Sequence, residues 1–247
     1  MTRLPELTHR ALFRAVSLLS TRRQAEALRR YFNWWHRTPD PWRLGTAPYE
    51  QHKYATTLGQ VPARPYRRIL EVGCSEGVFT RLLAQEHPQA EITGIDISHR
   101  ALLRARERTA DAPARTRLVQ ADIATFALAR RFDLVFCAET LYYVGRRARL
   151  RHVSARLTGL LAPAGVLVMV HPWPEAERLH RFVDSDPAVS RIARFVHDGG
   201  HRPFTVAVYQ ARADLRGAAP VPPSRAFLGH SGSQGDLRDP TERCRRA

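Results

Sequence analysis

Lysine is almost missing from this chain: of 39 Lys and Arg side chains, all but Lys53 are arginine. Those arginines are scattered from Arg3 to Arg246, and against 23 acidic residues they leave a formal charge of +16. An excess of that size attracts polyanions without selectivity and prescribes neither a fold nor a reaction. Its scatter, together with enrichment in alanine and proline, fits a GC-rich coding bias, so nucleic acid is not the expected partner. Cysteine is sparse too. Cys74, Cys137 and Cys244 are odd in number and lack metal-ligand spacing, which argues against a structural zinc site and suits a reducing, cytoplasmic setting. No stretch approaches the ~20 apolar residues that cross a bilayer. Basic residues also interrupt the first twenty positions, so neither a membrane span nor a secretory signal is expected.

What is present is enough for one core with appendages: 247 residues, 44% of them hydrophobic. Residues 1–65 read as a helical lid segment, with two short amphipathic helices up to about position 31. An aromatic, proline-broken loop follows, containing Trp34, Trp35 and Trp42, and then a helix over 49–60. From Arg68 the pattern alternates strand and helix. Strands are predicted over 69–72, 92–95, 118–121, 132–138 and 166–170, each apolar without polar alternation, as in a parallel sheet covered on both faces. One or two helices are predicted over 175–197 and a further strand over 204–210. The fold class is α/β, Rossmann-like, with a mostly parallel doubly wound sheet. Residues 66–210 form its main domain, and 211–247, rich in Gly, Pro, Ser and Arg, are expected to be a disordered tail.

The ligand of such a sheet sits at the carboxyl ends of its strands, at the turn after the first. Here that turn reads LEVGCSEG, residues 70–77. A dinucleotide fingerprint needs glycine where this chain has Ser75 and Val78, and a P-loop needs a Gly-Lys-Ser/Thr that is absent. What remains is Glu71-x-Gly73-x-Ser75-x-Gly77, with Asp96 closing the second strand and Asp122-Ile123 following the third. This constellation resembles motifs I and II of class I S-adenosylmethionine-dependent methyltransferases. The resemblance implies S-adenosyl-L-methionine as cofactor. Gly73, Ser75 and Gly77 would pass close beneath it and Glu71 would lie near its cationic end. Asp96 would accept from the ribose hydroxyls beside Ile97, and Asp122 with Ile123 would clamp the adenine.

Three further segments, DPWRLGTAPYEQHKY (40–54), LEVGCSEGVFT (70–80) and AETLYYVG (138–145), together resemble the nodulation protein S family of N-methyltransferases. That family methylates the free amine of a deacetylated chito-oligosaccharide, and the resemblance covers about residues 40–165. It implies that Trp42 and Lys53 close over the cofactor, Lys53 meeting its carboxylate, and that Ala138 borders it. It also implies an amine acceptor on a small molecule or oligosaccharide, met by Glu139, Tyr142 and Tyr143, with His171 as a second candidate base. A natural-product N- or O-methyltransferase remains an alternative. An RNA methyltransferase is a weaker one, because the Asp/Asn-Pro-Pro-Tyr that stacks a flipped base is replaced by Glu139-Thr140-Leu141-Tyr142. The expected state is a monomer or homodimer.

Overall fold

The computed structural model describes residues 12–126, 128, 130–200 and 202–213. After a helical turn at 12–17, α1 (Thr21–Trp35) starts at Ser20, whose hydroxyl accepts from the Arg23 N–H. α2 (Pro48–Gly59) opens on a proline, which needs no donor in a first turn. The sheet region then runs β1 (Arg68–Val72), α3 (Val78–Glu86), β2 (Glu91–Asp96), α4 (His99–Arg108), β3 (Thr116–Gln120) and β4 (Phe132–Ala138). A 3-10 turn (Leu141–Tyr143) precedes α5 (Arg147–Gly159), β5 (Leu161–Pro172), α6 (Glu175–Asp184), β6 (Val189–His197) and β7 (Phe204–Ala211).

These strands make a 7-stranded sheet in the order β3-β2-β1-β4-β5-β7-β6, in which β7 alone runs opposite to the other six. Alternate residues of the central strands feed two cores. Leu70, Val135, Cys137, Leu167 and Met169 pack beneath α5 and α6 against Leu157 and Leu179. Ile69, Leu134, Phe136, Val166 and Val168 pack on the opposite face against Phe79 and Leu83 of α3. The doubly wound α/β sheet expected from the apolar runs is what forms. Among the described residues no helix is long and apolar enough to cross a membrane.

Three elements differ from expectation. Trp34 and Trp35 belong to α1 rather than to a loop, because nothing breaks the helix before Pro39. β5 begins at Leu161, well before Val166: the chain stays extended through Pro163, with Ala164 at φ +58° and a register shift opposite, in β4. The last helix stops at Asp184, and Val189–His197 is a strand that completes an antiparallel hairpin with β7. Its pairing is irregular between Arg191 and Ala193, and that irregularity destroys the two-residue alternation by which an edge strand is read. The sequence also offers SRAFLG (224–229) as a weak candidate partner strand, and this segment, with all of the expected disordered tail beyond residue 213, lies outside the described residues.

Candidate functional site

The turn after β1 is left-handed three times, at Gly73 (φ +78°), Ser75 (φ +50°) and Gly77 (φ +75°). The Gly73 and Cys74 N–H groups both donate to Ile95 O, at 2.8 and 3.0 Å, tying the turn to β2. A Cβ on Gly73 would stand 2.2 Å from Thr140 Cγ2, and one on Gly77 would stand 2.9 Å from Ala105 Cβ. Glycine is therefore needed for protein packing at both places, whereas the sequence suggested clearance for a ligand. Gly73 and Ser75 face a cavity; Gly77 faces α4.

That cavity, about 230 Å³, lies at the carboxyl ends of β1, β2 and β4. Asp96 is its anchor: one carboxyl oxygen accepts from Ser75 N at 2.9 Å and the other from Ser98 N at 2.7 Å. Burial lifts its pKa above the ordinary value, and the two backbone donors pull the other way. Each oxygen keeps lone-pair capacity for a ligand. Ser75 Oγ is buried at the same wall with no partner among the described residues, as a site made for a polar ligand would leave it. Ile97, Asp122 and Ile123 line the adjoining wall. Asp122 folds its own loop by accepting from Ala124 N at 2.8 Å. A wider, open groove along the edge strand β3 is rich in arginine, and its Glu26 and Glu91 are paired with Arg29, Arg30 and Arg130.

The roof comes from the N-terminal segment, through Phe32, His36 and Trp42. One carboxylate that sequence reasoning missed holds it down. Glu76, buried in the β1 turn, lies 3.0 Å from His36 Nδ1 and accepts from Asp40 N at 3.1 Å. It also takes Arg104 Nη1 at 3.0 Å, and the same Arg104 atom donates to His36 O at 2.7 Å. Gln24 adds a second latch, donating to Tyr143 O and Val144 O at 3.1 Å each.

At the far end, Lys53 Nζ sits 2.9 Å from both Glu50 Oε2 and Glu139 Oε1, and Arg202 Nη1 is 3.3 Å from Glu50 Oε1. Burial pulls the Lys53 pKa down, but the two carboxylates outweigh it and hold the ammonium above its ordinary value. Lys53 thus bridges two protein carboxylates, where the family resemblance implied a contact with the cofactor carboxylate. Glu50 was missed, although its spacing three residues ahead of Lys53 on a helix places both on one face. Glu139 is held at φ +52°, with its N–H on Val170 O. Beside it the Tyr142 and Tyr143 rings stand 4.4 Å apart; burial and then the Glu139 charge push the Tyr142 pKa well up.

Three expected residues lie away from the cavity: Gly77, which faces α4, Glu71 and His171. Glu71 is turned into the interior, where Thr80 Oγ1 donates to it at 2.6 Å. His171 is fully buried and already engaged: Leu141 N donates to Nε2 at 3.3 Å, and Nδ1 is 2.9 Å from His180 Nε2. Burial drops the His171 pKa to about 3, so it has neither the access nor the basicity of a working base. The other expected residues, Trp42, Lys53, Gly73, Ser75, Asp96, Ile97, Asp122, Ile123, Ala138, Glu139, Tyr142 and Tyr143, all line the cavity.

Residues 26–182 match the family model Nodulation protein S (NodS). Nodulation protein S of Rhizobium tropici is 41% identical over 130 residues, 52% of this chain and 53% of that protein. A trans-aconitate 2-methyltransferase of Delftia acidovorans is 34% identical over 147 residues, 58% of this chain and 52% of that protein. The chain thus matches about half the length of these curated relatives. The crystal structure of N-methyltransferase NodS from Bradyrhizobium japonicum WM9 with S-adenosyl-L-homocysteine superposes with a TM-score of 0.68 at 26% identity. That alignment covers 74% of this chain and 97% of the crystallised one.

Proposed function

This chain belongs to the nodulation protein S family, and from that premise we propose that it transfers a methyl group from S-adenosyl-L-methionine to a free amine, on a deacetylated chito-oligosaccharide. The observation that carries the reading is the pairing of two sites in one cavity: Asp96 with Ser75 at one end, Glu50, Lys53 and Glu139 at the other. The first fits a ribose diol, since Asp96 keeps acceptor capacity and Ile97 and Ile123 offer apolar edges for a base. When bound, the cofactor supplies a sulfonium-activated methyl group. The chain's own residues do the rest. Tyr142 and Tyr143 offer aromatic faces to the C–H surface of a sugar and hydroxyls to its polar rim. Glu139 orients the acceptor ammonium and takes its proton, because only the neutral amine has a lone pair to present in line. Phe32, His36 and Trp42 exclude water. Alignment of this kind supplies roughly 7–11 kcal/mol.

Lys53 and Arg202 on the same wall favour a second reading, an acidic acceptor of the kind that the trans-aconitate relative's name denotes. Mass spectrometry on chito-oligosaccharides separates the two. The deacetylated form should gain one methyl and the fully acetylated form none, with a rate that rises through the pKa of the bound amine. Glu139→Gln should lower turnover and leave affinity for S-adenosyl-L-homocysteine nearly unchanged. Asp96→Ala should weaken that affinity on the order of a hundredfold. Equal methylation of both oligomers would discard the free amine, and methyl ester formation on a tricarboxylate with neither oligomer modified would favour the second reading.

A further inference from the structure

A second, smaller pocket of about 200 Å³ lies between α6 and the β6–β7 hairpin, beyond the cavity just described. Its polar lining is Glu177, His180 and Asp184 from α6, Arg191 and Arg194 from β6, and Thr205 from β7. Two of these groups are unexplained by the fold. Thr205 is 1% exposed, yet its hydroxyl has no partner among the described residues. A buried hydroxyl left alone is costly, and native proteins rarely tolerate one unless something else completes it.

His180 is the second. Leu141 N–H donates to His171 Nε2, so that nitrogen carries no proton. Burial keeps His171 neutral, so its proton sits on Nδ1 and points at His180 Nε2, 2.9 Å away. His180 must therefore accept there. Being neutral as well, it carries its own proton on Nδ1, for which no partner is found among the described residues.

Each carboxylate of the pocket is paired with an arginine through one of its oxygens. Asp184 takes Arg191 Nη1 at 2.7 Å and the Tyr209 hydroxyl at 2.9 Å, and Glu177 takes Arg194 Nη2 at 3.2 Å. Each guanidinium has five N–H donors, and single contacts of this kind leave several of them free. The pocket is thus a small concavity with surplus donors: a hydroxyl, an imidazole N–H and two guanidinium edges.

We infer that this pocket binds a small oxyanion, a phosphate-like tetrahedral group or a short carboxylate. The anion accepts from the Thr205 hydroxyl, from His180 Nδ1–H and from the free edges of Arg191 and Arg194. The site is linked through His180 and His171 to Leu141 N–H, at the head of the 3-10 turn that carries Tyr142 and Tyr143.

The test is thermal unfolding of the full chain saturated with S-adenosyl-L-homocysteine, which occupies the larger cavity. Inorganic phosphate and, in a parallel arm, acetate are titrated against sodium chloride of equal ionic strength. Phosphate or acetate should raise the melting temperature beyond the chloride control, and the arm that responds identifies the geometry. Thr205→Val, nearly isosteric, should unfold no earlier than wild type without anion and bind the responding anion about fivefold more weakly. Arg194→Gln should weaken it on the order of tenfold while leaving affinity for S-adenosyl-L-homocysteine intact. No response beyond chloride in either arm, or a response undiminished in both variants, overturns the inference.

Discussion

Glu71 carries its carboxyl inside the core, and burial lifts its pKa from 4.5 to about 7 despite the Thr80 hydroxyl bonded to it. Between those two values the native state holds a proton that the unfolded chain releases. This contribution to stability is therefore complete below about pH 4.5 and is lost as pH rises through about 7, a loss of about 3 kcal/mol. Glu71→Gln keeps an acceptor for Thr80 and removes the ionisation. Urea unfolding at about pH 5 and pH 8 should then show the variant gaining on wild type at the higher pH. An identical fall in both proteins would mean that Glu71 titrates normally. Asp96 is less deeply buried, and two backbone donors fix its oxygens; those donors distinguish a carboxylate positioned for a ligand.

The segment that roofs the cavity between α1 and α2 has little regular structure, and its placement depends on Glu76. Removing that carboxylate strands His36, the Asp40 N–H and Arg104 together, each of them bonded to it now. Glu76→Ala should therefore speed hydrogen exchange across 36–45 and weaken S-adenosyl-L-homocysteine binding, with amides of β1 and β4 unaffected. Exchange that is unchanged in 36–45 would assign the roof to aromatic packing alone. Strands β1, β2 and β4 could be read from sequence because burial on both faces makes them uninterrupted apolar runs. Strand β6 could not: its face is half exposed, its pairing is irregular, and Arg191 and Arg194 sit among its apolar positions. The site divides the same way. Asp96, Asp122 and Glu139 follow strand ends and can be found by position. Glu76 acts through His36 and Asp40, 40 and 36 residues away, contacts that no local pattern encodes, whereas Glu50 is signalled only by its three-residue spacing from Lys53, its other partner Arg202 being 152 residues away.

Seen as a whole, the arginine surplus has a structural use. Arg115 donates to the carbonyls of Ala84, His87 and Ala90, Arg108 to Glu76 O, Arg156 to Ile123 O and Phe126 O, and Arg149 to Ser17 O. These guanidiniums cover helix ends and loop carbonyls that would otherwise need water, and their planar forks suit that role better than an ammonium. Part of the arginine surplus is thus committed to the connections of the fold.

The lone lysine, set between Glu50 and Glu139 and 3% exposed, also makes the molecule its own reporter. An amine-selective acylating reagent finds one side-chain target in the entire chain, and that target is shut away beneath the roof. The yield of acylated Lys53, followed by peptide mass mapping, therefore counts how often the roof lifts. It should rise in Glu76→Ala and fall when S-adenosyl-L-homocysteine is bound. Rapid acylation of the wild-type protein, indifferent to ligand, would show that Lys53 is open to solvent in the resting protein.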